Sequence, residues 1–253
     1  MTAKQRRPFN SALCLLNKMN ITKEQLEDHI KKGLVSDIFK MERAYALLKK
    51  ISVNAELVNN RELGNFGELF GSLQHALETE AVLSVARLYD RPNNRYPTRC
   101  IKGLLNFLVE NKSNLPVIVE KHNINLQLSA LNAPEWVSDS LETSDEEFTE
   151  TFVEYYISVI ETEENKEIIS KLKTIRDKVL AHNEMTSNLS GPTWDGLGKL
   201  IDISKNLAGV LGWAYLSTVY MHDNEYYMSS DAERPSRALN RLLKRVYSNE
   251  EIN

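Results

Sequence analysis

Apolar residues recur at steps of three and four along nearly the whole chain. Ile38, Met41, Tyr45, Leu48, Ile51, Ala55 and Val58 form one such stripe, which predicts a long amphipathic helix from about Ser36. Gly64 and Gly67 interrupt it. A second stripe, Phe70, Leu73, Leu77, Ala81, Ser84 and Leu88, predicts a helix that must stop by Arg91-Pro92, because proline has no N–H to continue the ladder. Shorter helices are expected over residues 99–111 and 116–122. The segment 129–147 changes character: Pro134, several serines and the acidic run Glu142 to Glu147 read as a solvated surface loop. Helical spacing resumes with Phe148, Phe152, Tyr155, Tyr156 and Val159. Further helices are expected over 164–181, from about 193 to 221 and over 231–247, with a loop at 183–192 marked by Gly191-Pro192. No segment alternates with the period of a strand, and no repeat or low-complexity tract stands out. The pattern implies an all-α fold, an antiparallel helical bundle over 36–222. It is flanked by an N-terminal helical arm (1–35) and a basic C-terminal helix (223–253).

Composition sharpens this picture. With 10 Gly and 7 Pro in 253 residues there are few turns, which favours long elements. The net charge of -4 excludes a general polycation that coats nucleic acid, so any RNA contact must come from a local basic patch. Two cysteines, Cys14 and Cys100, argue against a disulfide scaffold and for a reducing cytoplasm. The apolar run Ala12 to Leu16 is too short, and too closely flanked by Asn, for a secretion signal. The longest uncharged stretch, 206–221, falls short of the roughly 20 apolar residues a bilayer requires. It reads as a buried core helix, and no membrane association is expected.

Arg176 and His182 lie in the stretch Ile175-Arg-Asp-Lys-Val-Leu-Ala-His182-Asn183. An imidazole titrates near neutrality and moves protons, whereas a guanidinium stays charged and grips phosphate oxygens in a fixed fork. These are the two groups that metal-free RNA cleavage requires. The apolar stripe here is Ile168, Leu172, Ile175 and Val179; on a regular helix Arg176 falls roughly 70° to one side of it and His182 roughly 50° to the other. The two straddle the seam, so two copies packed about a two-fold axis would bring both pairs to one cleft. Asp177 and Lys178 are candidates for orienting or phosphate-steering roles, and Asn183 either donates to substrate or ends the helix. The competing reading has Arg176 paired with a carboxylate and His182 closing its helix on a backbone carbonyl.

Glu80, Ser84 and Arg87 share one edge of the second stripe. Arg87 either adds positive charge to the cleft, held by Asp90 or Glu80, or belongs to a polar strip that fixes helix register. Arg234, Arg237, Arg241, Lys244 and Arg245 give the C-terminal helix a basic face, suited to RNA phosphates, to an acidic partner or simply to solvent. Trp194, Trp213, Tyr226 and Tyr227 read as core or edge packing. His29, His75, His122 and His222 stand alone without metal-ligand spacing, and there is no phosphate-cradling Gly loop or nucleophile elbow. No metal or cofactor is expected.

The Arg176-to-His182 stretch resembles the signature of the HEPN superfamily (higher eukaryotes and prokaryotes nucleotide-binding), an Arg and a His separated by four to six residues of which the first is often polar, here Asp177. Arg-Asp-Lys-x-x-Ala-His-Asn, preceded by Arg87-Leu-Tyr-Asp90 at the end of a long helix, looks like its abortive-infection U-type (AbiU-like) branch. The resemblance spans about residues 36–221. It implies a compact helical domain that forms a homodimer, with the Arg and His of each copy facing a shared cleft. It further implies a metal-independent endoribonuclease of a phage-defence or toxin–antitoxin system, with RNA as substrate and an antitoxin or inhibitor protein as partner. Other members of the superfamily have lost catalysis and bind nucleotides, RNA or proteins. One toxin subgroup carries a Tyr two residues after the His; this chain has Glu184 there, so that mode of regulation is not carried over.

Overall fold

The computed structural model of the chain describes residues 18–60, 66–93, 95, 97–181 and 190–248. Helix α1 (residues 18–27) runs unbroken through a π turn at Asp28–Val35 into α2 (Ser36–Val53). The turn brings Gly33 against the segment that precedes α5. A Cβ at Gly33 would lie 2.6 Å from Cβ of Arg99 and 2.9 Å from its carbonyl oxygen, so only glycine fits this approach. Arg99 then closes on Asp28 at 2.5 Å. After the single turn α3 (Ala55–Val58), α4 (Gly67–Leu88) returns antiparallel to α2, and these two form the most extensive helix pair of the molecule. As the sequence predicts, α4 ends before Pro92. Leu73, assigned above to its apolar stripe, is instead exposed.

The middle of the chain departs from expectation in two places. The helix expected over 116–122 is absent up to Glu120: the segment runs non-helical from Leu115 to Glu120, burying Leu115 and Ile118 and exposing Val117 and Val119, and Lys121 and His122 open the next helix. The Ile118 N–H is taken by Asp145 at 2.9 Å instead of by a helical carbonyl. Helix α5 (Ile101–Glu110) precedes this segment and α6 (Lys121–Ala130) follows it. The expected surface loop over 129–147 is mostly helix, with α7 (Glu135–Thr143) burying Val137, Ser140 and Leu141 at positions i, i+3 and i+4. Its acidic run supplies a helix start. Ser144 Oγ accepts from Glu147 N at 3.1 Å, and Asp145, Glu146 and Glu147 occupy the first turn of α8 (Asp145–Ile160), where the helix dipole favours them. Phe148 and Phe152 of α8 are fully buried and stack at 5.6 Å, each burial contributing about 1.5–3 kcal/mol.

Helix α9 (Glu163–Ile175) continues as a π turn, Arg176–Ala181. Helix α10 (Trp194–Leu211) buries most of its surface against α2, α4, α6 and α9 and keeps Asp195, Lys199 and Asp202 on one exposed stripe. The uncharged stretch 206–221 is therefore not one helix. It passes through a π turn at Gly212–Leu216, reverses at Ser217 with φ 48°, and folds back so tightly that a Cβ on Gly212 would sit 2.4 Å from the Thr218 carbonyl oxygen. A two-residue hairpin follows, β1 (Met221–His222) with β2 (Glu225–Tyr226), a departure from the strand-free expectation too short to alter the all-α class. The C-terminal element is split at Glu233 into α11 (Met228–Ala232) and α12 (Arg234–Ser248). One contiguous core runs from Leu26 to Tyr226, so positions 35/36 lie inside a continuous helix and 222/223 inside the hairpin. A smaller cluster of Ile51, Val58, Phe70 and Leu243 seats α12 on the far end of the α2–α4 pair.

Candidate functional site

Arg87-Leu88-Tyr89-Asp90, where α4 ends, ties four parts of the fold together. Arg87 reaches α2, its Nε and Nη2 donating to Asp37 Oδ1 at 3.0 and 2.9 Å while Nη2 also meets Ser84 Oγ at 3.0 Å. Leu88 is fully buried. Tyr89 donates to the Leu200 carbonyl of α10 at 2.6 Å and lies 3.1 Å from Ser204 Oγ. Burial drives its phenol pKa far above the ordinary value, so it stays neutral. Asp90 closes the set: Oδ1 accepts from Arg91 N at 2.8 Å, and Oδ2 pairs with Arg176 Nη1 at 2.9 Å.

Arg176 sits where α9 gives way to the π turn, with helical backbone angles and a side chain 23% exposed. Its Nε donates to Asp177 Oδ1 at 2.6 Å, so two carboxylates hold one guanidinium and favour its charged form, Asp177 more strongly than Asp90. No ion pair or hydrogen bond engages Nη2 among the described residues. Lys173, one turn earlier, is half-buried. Desolvation first, then the nearby charge of Arg91, lower its pKa; Arg176 acts in the same direction, while Asp90 and Asp177 oppose it. A cleft of ≈ 360 Å³ opens beside Asp90, lined by Arg91, Lys102, Glu161, Lys166 and Lys173 but not by Arg176 itself.

The other anticipated residues fall as follows. Asp177 and Lys178 are exposed at the start of the π turn. His182 and Asn183 lie outside the described residues. Arg87 does not join Arg176: it is committed to Asp37 and Ser84, and neither Asp90 nor Glu80 holds it. Glu80 sits ten residues before Asp90 on α4, about 15 Å along the helix axis, and so belongs to another part of the bundle. Of the Glu80–Ser84–Arg87 strip, Ser84 and Arg87 are joined by a hydrogen bond, and Arg87 links α4 to Asp37 of α2. Two residues went unremarked in the sequence. Asp37, 6% exposed, is the buried partner of Arg87. Its position was legible, for it lies three residues after buried Leu34 and four before buried Met41, inside an apolar stripe. Lys173 had no such signal, since a lysine on α9 looks like any solvated one until α4 is placed beside it.

Among the described residues no helix is long and apolar enough to cross a membrane, and no group of three His, Cys, Asp or Glu side chains gathers as a metal site. In comparisons with known proteins, the family model for AbiU2, a HEPN family, matches residues 23–234, a wider span than the 36–221 expected from the motifs. No curated protein and no solved structure matches significantly.

Proposed function

The chain belongs to the HEPN AbiU2 family, and from that premise we propose that it is a metal-independent endoribonuclease of a phage-defence or toxin–antitoxin system. Arg176 binds the scissile phosphate through its Nη2 edge and stabilises the charge that gathers on the phosphoryl oxygens. His182 accepts the proton of the ribose 2′-hydroxyl as that oxygen attacks phosphorus. The 5′-oxygen leaves and is protonated in turn, giving a 2′,3′-cyclic phosphate end. DNA, lacking the nucleophile, is not cut. A homodimer places the Arg and His of both copies at one cleft. The observation that carries this reading is the mounting of Arg176, gripped on Nε and Nη1 by Asp177 and Asp90, with no partner for its third nitrogen among the described residues. A guanidinium held in this way reaches a phosphate without losing further side-chain freedom.

One observation favours a second reading. Two carboxylates around one arginine neutralise it, which suits a catalytically silent module that binds nucleotides, RNA or a protein. Incubation of purified protein with labelled single-stranded RNA in EDTA separates the two. The nuclease reading expects cyclic-phosphate products from the wild type and a loss of at least about 100-fold in Arg176→Ala and His182→Ala. Equal inertness of all three proteins on diverse RNAs would leave the silent module. Light scattering checks the dimer, and a strict monomer removes the shared cleft.

A further inference from the structure

The basic helix α12 lies on the side of the molecule away from Arg176. It packs on the second half of α2 and the first half of α4, whereas Asp90 and Arg176 adjoin the other end of α4. Its cations do not spread around the helix. At 100° per residue Arg234, Arg237, Arg241, Lys244 and Arg245 fall within an arc of roughly 100°, about 140° from the face that buries Ser236 and Leu243. One border of that arc meets α2, and together they enclose a groove of ≈ 500 Å³ whose walls carry Lys49, Lys50, Arg237 and Arg241. Arg237 is paired with Glu233 at 3.2 Å. Lys49, Lys50 and Arg241 have no ion pair among the described residues, in a chain where acids outnumber lysines and arginines by 35 to 31. Together these charges give the groove a positive lining that favours an anionic ligand.

The groove does not end at α12. Through Ala46, Lys49 and Glu233 it is continuous with a second hollow, of ≈ 690 Å³, between α2 and α10. On its wall stand Tyr45 and Trp194, with ring centroids 5.4 Å apart and 40% and 38% of each residue exposed. Four acids, Glu42, Asp195, Asp202 and Glu233, and three lysines, Lys49, Lys199 and Lys205, line this hollow, and Glu233 pairs with Arg237. Lys205 takes both Glu42 and Asp202, and Asp195 lies in the first turn of α10, where the helix dipole offsets it. Cations that track a backbone, leading to open aromatic faces that accept a base, are what binding of a single strand without sequence readout requires. An acidic protein segment would use the cations but not the rings.

We propose that the α2–α12 groove and the Tyr45–Trp194 pair form a docking track for single-stranded nucleic acid, separate from the Arg176 cleft. The phosphates lie along Lys49, Lys50, Arg241 and Lys244, and a base stacks at the aromatic end. The basic stripe from Arg234 to Arg245 is about 16 Å long, enough for roughly three phosphates. The natural ligand rests on the RNA-directed reading above, but the track itself does not, because backbone and stacking contacts are shared by DNA.

An oligodeoxythymidylate of roughly 12 nucleotides therefore tests it in the absence of 2′-hydroxyl chemistry. Fluorescence anisotropy of the labelled oligonucleotide against full-length protein expects saturable binding with strong salt dependence. In Lys49→Gln/Arg241→Gln, both exposed positions, binding weakens about tenfold and the salt slope becomes shallower by roughly 1.4. Tryptophan emission falls on binding, and Trp194→Phe keeps most of the affinity while losing most of that fall. An unchanged affinity and slope in the double variant overturns the proposal. So does quenching that survives Trp194→Phe, a duplex of equal length bound as well as the single strand, or a double variant altered only in self-association. The two proposals fail separately. RNA cleavage by the wild type with oligonucleotide affinity unchanged in Lys49→Gln/Arg241→Gln removes the track and leaves the nuclease; oligonucleotide binding lost in that variant without RNA cleavage by the wild type does the reverse.

Discussion

Two arginine–aspartate pairs flank the end of α4, three residues apart in sequence, and they differ in what surrounds the carboxylate. Asp37, facing Arg87, is buried between α2 and α4; its side chain is 8% exposed and also meets Lys40 at 3.3 Å. Asp90, facing Arg176, is 33% exposed and fixed by a backbone N–H. A carboxylate taken out of water must keep its cation, so Arg87 is bound to a structural duty. A carboxylate still in water gains little stability from its partner, so the Asp90–Arg176 pair orients the guanidinium without tying it to a structural duty. The same two residue types thus build a fastener in one place and a candidate site in the other.

The sharpest way to break this comparison is to remove each arginine in turn. Arg176→Ala is expected to reduce RNA cleavage by about 100-fold or more with little change in unfolding midpoint, and Arg87→Ala to do the opposite. If both variants lose activity in proportion to stability, Arg176 is structural too. Second in size is the seam itself: Arg87→Ala, or Asp37→Ala, should cost about 2 kcal/mol in urea unfolding, between the values for buried and exposed pairs because Arg87 is itself 46% exposed. Asp90→Asn should cost under about 1 kcal/mol of stability, yet slow cleavage about tenfold by releasing Arg176 from its mounting.

The pH profile sharpens the contrast further. His29 is half-buried against Phe107, its Nδ1 without a hydrogen-bond partner, and desolvation lowers its pKa below the ordinary imidazole value. The folded state therefore binds this proton less readily than the unfolded chain does. Stability from His29 is complete above the unfolded value of about 6.5 and falls as pH drops below it. His29→Phe should flatten the acid limb of the thermal midpoint. Any acid loss of cleavage that persists in this variant then reports the active site and not unfolding. Smallest is Lys173→Gln. Partial burial and the charges of Arg91 and Arg176 disfavour the protonated lysine in the fold, so removing the charge should stabilise by a few tenths of a kcal/mol at neutral pH. That gain should vanish as pH rises towards the lysine's own deprotonation.

The helices that flank the site were legible because their periodicity was local. Ile38, Met41 and Leu48 on α2, and Ala81, Ser84 and Leu88 on α4, are buried in the structure as their spacing required. The failures came where one local signal hid another. The acidic run at 142–147 looked like a loop because its charge was read before its capping box, Ser144 to Glu147. The stretch 206–221 looked like one helix because nothing in its apolar content announces a reversal at Ser217. Residues 116–120 lost their helix to a distant carboxylate, Asp145, which no window of that length contains.

By itself the amino-acid order settled the all-α class, the family motifs and the chemical identity of the candidate groups, since side-chain periodicity and functional chemistry are properties of neighbours along the chain. Only the folded arrangement assigned Asp37 to Arg87 and Asp90 to Arg176, and only it set the cations of α12 beside Tyr45 and Trp194. Partner choice and burial depend on which distant segments share a boundary with water, and that is decided when helices pack, not when residues are joined.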